Sequence, residues 1–501
     1  MTREEALTFY KNWQEKKEAY SLLMNTAYYD QETIAPRAGS AVRNKALAYI
    51  GGEVYDIETD PKAIEVLEFL AEEDLGEDKN REIALALRSL DGVRALDKEE
   101  VVAFDEESMA SFDDWQEAKH EKDYAKFEPH LLKLIEYSKS FAAKRHPGKD
   151  PYDVYLDDYE EGMTAADYDR FFDLVRSELS PLVNEIAQHQ DRVDDSFLHL
   201  DYPKDKQALF AEEICKYLGF SKDWGYMGVS EHPFTNGISK NDVRITTAYD
   251  EKDVSSSLYS IVHEVGHAYF EHQVKEEYAG TPLHHMISSG MHESQSRFLE
   301  NYIGRRKSFL KGLYPKLQEF FPEQLGNVSL DAFYKAVNVS RPSLIRTQAD
   351  ELTYPLHILI RYEIEKSIFN GTADLEHLNV LWNEKYKEYL GVDVPDDGVG
   401  ILQDVHWSGA SFGYFPTYAL GSAIGAQLLA AMEKDMDIDE ALEKGEFHRI
   451  TGWLKEHFQQ YGARYTFKEA VIKATGEEFD PHYYIDYLKK KYRALYGLDA
   501  K

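Results

Sequence analysis

The sequence predicts a mainly α-helical protein with one clear β-strand just before a central helix. Apolar residues recur at spacings of three and four along much of the chain, for example at Tyr20, Leu23 and Ala27, as an amphipathic helix requires. A β pattern stands out at Asp242–Thr247, where apolar and polar residues alternate as in a half-exposed strand. A helical pattern starting at Val254 follows this strand, and it carries the residues with the clearest chemistry.

The chain is read as one domain, residues 1–501. A length of 501 residues could hold two or three domains, but no Pro/Gly/Ser-rich linker or low-complexity run divides it. Within this domain we expect a helical N-terminal part at about 1–200, a central part with the functional motifs at about 201–430, and C-terminal helices at 431–501.

Composition excludes several classes of partner. The chain carries 57 basic and 91 acidic residues, a net charge of −34, so nucleic acid and anionic membrane surfaces are poor partners. The longest apolar run, Tyr418–Met432, is too short for a membrane span and contains Gln427. The charged start and the single cysteine, Cys215, fit neither a signal peptide nor a disulfide framework. These features predict a cytoplasmic protein.

The central helix contains two histidines four residues apart, His263 and His267, with Glu264 directly after the first. Asp253 or a following serine can cap this helix. Residues four apart lie on one helical face, so the two imidazoles can aim at one point, with Glu264 beside that point. This is the HEXXH pattern of two zinc ligands and a carboxylate that can deprotonate zinc-bound water.

The alternative is a pair of ordinary surface histidines. The flanking residues Leu258, Ile261, Val262 and Phe270 are apolar on more than one face, which predicts a buried helix where idle histidines are costly. A third ligand, Glu293, follows His267 by 26 positions, far enough to return on a neighbouring helix. Three protein ligands leave zinc an open position, as in catalytic sites. The pattern therefore predicts a zinc hydrolase with one Zn²⁺ per chain.

The strand before this helix has two readings. A strand that borders a cleft beside an HEXXH helix can bind an extended peptide as an added strand. The run around Asn236 and Gly237 fits an ordinary edge hairpin equally well.

Six segments together resemble the carboxypeptidase Taq family of zinc metallocarboxypeptidases over nearly the full length. They are His232–Phe234, Asp242–Thr246, His263–His267, His292–Gln295, Ile345–Asp350 and Gly400–Trp407. The resemblance implies a large helical metallopeptidase fold with a small sheet beside the HEXXH helix and a deep substrate groove. It also implies a homodimer that acts on peptide substrates and releases single C-terminal amino acids with broad preference, accepting proline poorly.

Catalytic roles follow for three residues. Glu264 is expected to accept the water proton and later deliver it to the leaving amine. The oxyanion needs donors besides zinc, and His406 with Tyr418, or failing that Tyr414, are the candidates. The sequence fits equally well with a tyrosine that is buried in the core and has no catalytic role.

A carboxypeptidase must also bind the free carboxylate of its substrate, and the fork of an arginine fits that group best. Arg346 is the first candidate and Arg244 the second, with a structural ion pair as the alternative for each. His232, in the first of the six segments, is assigned to substrate binding as well.

Two rival functions remain at this point. The same zinc arrangement serves endo-oligopeptidases and dipeptidyl carboxypeptidases. In a different class, a helical scaffold can keep zinc for structure and bind peptides without cutting them, although a scaffold has no need of Glu264.

Overall fold

The structure is a computed structural model that describes residues 1–498. For Val93 it describes the backbone only. Helices make up most of the chain and a three-stranded sheet lies in its middle. The predicted fold class, mainly α with a small sheet beside the HEXXH helix, is confirmed. Within the described residues, no helix combines the length and apolar character needed to cross a bilayer.

The N-terminal part is entirely helical. Its helices are α1 Arg3–Thr33, α2 Ser40–Glu58, α3 Pro61–Ala71, α4 Glu77–Ser89, α5 Asp91–Ala95, α6 Lys98–Glu121, α7 Tyr124–Arg145, α8 Pro151–Tyr159, α9 Ala165–Leu174 and α10 Ser180–Ala187. α1 is the long first helix that the periodicity predicts, and a capping box between Thr2 and Glu5 begins it. Thr164 and Asp167 form a second capping box at the start of α9.

The first helices build a small hydrophobic cluster of their own. Tyr10 and Trp13 of α1 pack with Leu67 of α3 and Ile83 of α4, apart from the main core. Leu85, on another face of α4, belongs to the main core instead. One helix therefore joins the two clusters, and the reading of the chain as a single domain stays a prediction.

The sheet follows α11, Lys204–Tyr217. Its strands are β1 Gly225–Val229, β2 Thr235–Ser239 and β3 Asp242–Thr247, in the order β1-β3-β2. β3 pairs with β1 in parallel and with β2 antiparallel. Val243 and Ile245 are buried, as their alternation predicts, because this face of the sheet packs on the next helix.

That helix is α12, Val254–Gln273, and it contacts β2, β3 and a later helix, α14. Asp253 caps it by accepting a hydrogen bond of 2.9 Å from the Ser255 amide, so the predicted start is correct. α13 is the short segment Pro282–His285, and α14 spans Ser289–Arg297. α14 continues into a wider π-helical segment, Phe298–Gly304.

The remaining helices surround this centre. They are α15 Lys307–Phe320, α16 Pro322–Leu325, α17 Leu330–Val337, α18 Tyr354–Phe369, α19 Leu378–Leu390, α20 Phe415–Asp435, α21 Ile438–Glu443, α22 Phe447–His457, α23 Phe467–Thr475 and α24 His482–Tyr496. α20 contains the long apolar run of the sequence, which is buried on almost every side and packs against α14. The HEXXH segment of α12 thus packs between α14 and the sheet, and α20 packs against α14.

Candidate metal centre and active site

His263 and His267 of α12 converge with Glu293 of α14. The Nε2 atoms of His263 and His267 lie 3.7 Å and 3.5 Å from Oε2 of Glu293. One imidazole nitrogen of each histidine and one carboxylate oxygen of Glu293 lie within 4.8 Å of one another. The three residues predicted as metal ligands therefore come together in one place.

Two glycines allow these helices to approach so closely. A Cβ atom on Gly266 of α12 would lie 2.5 Å from the Gln295 carbonyl oxygen and 2.6 Å from the Ser296 Cα. A Cβ on Gly421 of α20 would lie 2.8 Å from the Glu293 Cβ. Any side chain at either position would push α14, and with it Glu293, away from the two histidines.

The other ring nitrogen of each histidine has a partner of its own. Nδ1 of His263 lies 2.9 Å from Oε2 of Glu300, and Nδ1 of His267 lies 2.6 Å from Nδ1 of His292. Both Nε2 atoms are thereby left facing Glu293. Glu300 belongs to the π-helical segment after α14, and such wider turns often occur at functional sites.

Arg297 is a residue that the sequence analysis missed. Its Nε donates to Oε1 of Glu293 at 2.7 Å and its Nη1 donates to Oε2 of Glu300 at 3.2 Å. Its guanidinium also packs over the Tyr354 ring, with 4.5 Å to the centroid. One arginine therefore orients the carboxylate ligand and the partner of His263 together.

The charges of this group suit a divalent metal. Burial favours a neutral Glu293, but Arg297 and the two histidines outweigh it and hold the pKa of Glu293 well below its usual range. Burial lowers the pKa of His267 to about 4. For His263, burial is outweighed by the neighbouring carboxylates and the pKa rises. Two imidazole nitrogens and a carboxylate oxygen are ligands that zinc prefers, so these three residues fit a zinc ion.

Glu264 lies beside the three ligands and is only 6% exposed. Oε2 of Glu264 accepts a hydrogen bond of 2.6 Å from the Thr235 hydroxyl at the start of β2. Burial raises the pKa of Glu264, although His263 and Thr235 pull it down. A carboxylate with a raised pKa, held at one oxygen, is suited to accept a proton with the other.

These residues open into a cleft of about 580 Å³. Its lining includes the segment Pro233–Thr235, which leads into β2, and Tyr414 and Tyr418 of the α20 region. Arg297 also lines the cleft. The cleft agrees with the predicted groove over the metal site, and residues of the HEXXH helix line it.

The two predicted oxyanion donors are in contact with each other. Nε2 of His406 lies 3.3 Å from the Tyr418 hydroxyl. Tyr418 lines the cleft, whereas His406 lies behind it, packed against Phe415 at 4.3 Å between centroids. Burial lowers the pKa of His406 to about 4 and raises that of Tyr418 well above its usual value, so both side chains are neutral at neutral pH.

Arg346 lies one layer further from the cleft. Its Nε and Nη2 donate to Oδ1 of Asp404 at 3.0 Å and 2.8 Å, and its Nη1 donates to the Tyr354 hydroxyl at 3.2 Å. Its guanidinium carbon is 5.0 Å from the centroid of the Tyr418 ring, which stands between Arg346 and the cleft. Arg361 binds the other oxygen of Asp404 at 2.7 Å.

The structure does not bring Arg244 or His232 to the cleft wall. Arg244, on β3, forms a two-point ion pair with Asp242 at 2.9 Å and 2.8 Å and packs over the Tyr29 ring. The side chain of His232 is exposed, while the residues directly after it line the cleft.

The fold and the site together define a helical metallopeptidase, with two histidines of one helix, a glutamate of the next and a second glutamate beside them. A family model described as "Carboxypeptidase Taq (M32) metallopeptidase" matches residues 9–492. The chain belongs to the carboxypeptidase Taq family, and the predicted resemblance is confirmed. The prediction of a metallocarboxypeptidase is confirmed with it.

Individual relatives agree over almost the whole length. Carboxypeptidase 1 of Bacillus subtilis (strain 168) is 40% identical over 486 residues, which cover 96% of each chain. Thermostable carboxypeptidase 1 of Thermus thermophilus is 35% identical over 511 residues, covering 99% of this chain and 100% of the relative. The crystal structure of the M32 carboxypeptidase from Deinococcus radiodurans R1 matches with a TM-score of 0.94 at 32% identity, over 98% of this chain and 99% of that chain.

Proposed function

We propose that this protein is a zinc-dependent carboxypeptidase that releases single amino acids from peptide C-termini, with broad preference and poor acceptance of proline. The observation that carries the proposal is the three-donor site of His263, His267 and Glu293 in the lining of an open cleft, with Glu264 beside it. Peptides suit a cleft of this kind, and family membership supports the reaction.

Zinc is the proposed metal, one ion per chain. When bound, zinc supplies Lewis acidity, which lowers the pKa of water toward about 7 and polarises a peptide carbonyl. The protein prepares for it by directing both histidine Nε2 atoms and one oxygen of Glu293 at the same point.

Glu264 is the proposed general base and acid. The Thr235 hydroxyl binds Oε2 of Glu264, which leaves Oε1 as the atom that takes a proton from water and returns it to the leaving amine. Burial keeps bulk water away from this carboxylate and raises its affinity for the proton.

Tyr418 is the proposed donor to the developing oxyanion, with His406 acting behind it. A hydroxyl has one proton, so Tyr418 can donate to the substrate only if its oxygen accepts from His406. The neutral imidazole of His406 can supply that hydrogen bond through Nε2–H at 3.3 Å. Tyr414, which also lines the cleft, is the alternative donor.

For the terminal carboxylate of the substrate, Arg346 remains the first proposal and Arg244 the second. Arg346 packs on the ring of Tyr418, which lines the cleft, so a movement of that ring would bring its guanidinium closer to substrate. Arg244 and His232 would have to act at the outer rim of the sheet.

A homodimer and a cytoplasmic location are proposals that rest on the family resemblance and on composition. Sedimentation analysis of the pure protein tests the first, since a dimer has twice the 57.8 kDa mass of one chain. Fractionation of the source cells tests the second.

The decisive experiment incubates metal-loaded protein with a mixed-sequence peptide and follows the products by mass spectrometry. We expect a ladder that loses one residue at a time from the C-terminus and stops before proline. Loss of two residues at a time would indicate a dipeptidyl carboxypeptidase, and internal fragments an endo-oligopeptidase. An intact peptide in the presence of bound zinc would indicate a non-catalytic scaffold.

A further inference from the structure

The outer ring nitrogen of a metal-binding histidine usually donates its proton to a carboxylate, a carbonyl or water. In this protein the partner of His267 is a second imidazole, that of His292. Their Nδ1 atoms face each other at 2.6 Å, so one must carry a proton and the other must not. The Nε2 of His267 faces Glu293 and must be free of its proton to bind a metal. The neutral ring of His267 therefore carries its proton on Nδ1, and His292 is the acceptor.

The remaining proton of His292 is then fixed as well. A neutral His292 that accepts at Nδ1 must be protonated at Nε2. That Nε2 lies 2.8 Å from Oε1 of Glu271, a carboxylate that can only accept. In the other tautomer, N–H would face N–H at one end and a lone pair would face the carboxylate at the other. Glu271 thus selects the form of His292 that can serve His267.

We propose that His292 and Glu271 are positioning residues of the metal centre, which fix the tautomer and the ring plane of His267. His263 reaches its carboxylate, Glu300, directly at 2.9 Å, whereas His267 reaches Glu271 through a second imidazole. Hydrogen bonds to the outer nitrogen of a metal-binding histidine commonly set its orientation and basicity. The inference rests on the proposed metal-binding role of His267.

Glu271 is itself held in place from two sides. Its second oxygen lies 3.1 Å from Nε2 of His284, a histidine on α13 that is only 1% exposed and whose Nε2 also lies 3.1 Å from the Glu271 carbonyl oxygen. On β2, a Cβ at Gly237 would lie 2.6 Å from Oε2 of Glu271, so the strand packs directly on this carboxylate. A glutamate fixed by two histidines cannot swing aside easily, and Gly237 is therefore part of the same arrangement.

Two substitutions at position 292 separate the two contacts of the ring. Asparagine can place an oxygen near the position of Nδ1, so His292→Asn keeps an acceptor for His267 and loses the bond to Glu271. Glutamine can place an amide near the position of Nε2, so His292→Gln keeps the donor to Glu271 and loses the acceptor. His272→Asn is the control, because His272 lies on α12 next to Glu271 but stacks on Trp224 and bonds to the Lys240 carbonyl.

The measurement is the affinity for Zn²⁺, obtained by competition with a chelator of known affinity, together with the absorption spectrum of the Co²⁺-loaded protein. We expect His292→Gln to weaken Zn²⁺ binding about 10- to 100-fold, as loss of such partners does at other metal sites. His292→Asn should retain most of the affinity, and His272→Asn all of it. The Co²⁺ spectrum should change in His292→Gln and stay native in the control.

Several results would overturn the proposal. If His292→Gln and His292→Asn weaken binding equally, the ring serves packing and not hydrogen bonding. If both bind Zn²⁺ like the native chain, His292 does not position His267. Should a variant at 292 fail to fold, Glu271→Leu removes the acceptor for Nε2–H of His292 with a side chain of similar size, and it must also weaken Zn²⁺ binding. Native protein that binds no metal would refute the proposed function instead, and so the two failures are distinct.

Discussion

Replacing Arg346 by alanine tests the least direct part of the proposed mechanism. The guanidinium makes two hydrogen bonds to Asp404 and one to Tyr354, and Arg346 is only 6% exposed. Loss of one partner of a buried ion pair costs about 3–5 kcal/mol, but Asp404 keeps Arg361, so we expect ~2–3 kcal/mol of lost stability. For a chain of 501 residues this lowers the Tm at which the main core unfolds by only about 2–3 °C. The variant should be folded at assay temperature.

The activity assay compares two versions of one peptide, with a free and an amidated C-terminus. If Arg346 binds the terminal carboxylate, the variant should lose ~2–4 kcal/mol of transition-state binding for the free acid, so that kcat/KM falls roughly 30- to 1000-fold. The amidated peptide, a poor substrate of the native enzyme, should be affected little. Arg244→Ala is the matched control, since its partly exposed pair with Asp242 contributes about 1 kcal/mol or less to stability.

An equal loss on both peptides would refute this reasoning. Arg346 would then act through Tyr418, whose ring it contacts at 5.0 Å, and not on the carboxylate. A selective loss in Arg244→Ala would transfer the role to that residue.

Four further outcomes are expected. Glu293→Ala should lower the metal content measured by atomic absorption, because one of three donors is gone; full occupancy would contradict the ligand assignment. Glu264→Gln should keep the metal and lose ~10²-fold or more in kcat, since the amide cannot accept the proton; a native rate would assign the proton to another group. Thr235→Val should lower kcat more than it raises KM, with recovery in Thr235→Ser, because the 2.6 Å bond to Glu264 is lost; no recovery would indicate a packing effect. Glu160 is fully buried beside the Gly290 amide, and burial raises its pKa to about 8. The stability that the neutral carboxyl group contributes is therefore complete below its unfolded pKa near 4.5 and is lost as the pH rises through 8. In melting experiments, the free energy of unfolding of Glu160→Gln should rise by up to ~4 kcal/mol relative to that of the native chain between pH 5 and pH 9. A constant difference would contradict the buried, neutral state.

The parts of the site that the sequence predicted are those set by local geometry. His263, His267 and Glu264 follow from the spacing of residues on one helix, and Glu293 from a motif on the next. The start of α12 at Asp253 and the alternation in β3 are local as well. β1 was missed because Gly225–Val229 contains two glycines and no clear alternation.

The partners of these residues could not be predicted because they depend on distant contacts. Arg297 and Glu300 reach the ligands only because α14 approaches α12 at Gly266 and then widens into a π-helical turn. Arg346 is covered because Asp404, far along the chain, forms its ion pair. No sequence pattern reports a tertiary contact of that kind, so the arginine facing the cleft was not the one expected.

The small hydrophobic cluster of the first helices affects how the stability experiments must be read. Segments that share few buried contacts with the rest of a protein can open separately, at a lower free energy than the whole. We therefore expect amide hydrogens of α1 and α3 to exchange faster than those of α12 and α20, which lie in the main core. Calorimetry should then record two transitions, and a variant at the metal centre should shift the later one only.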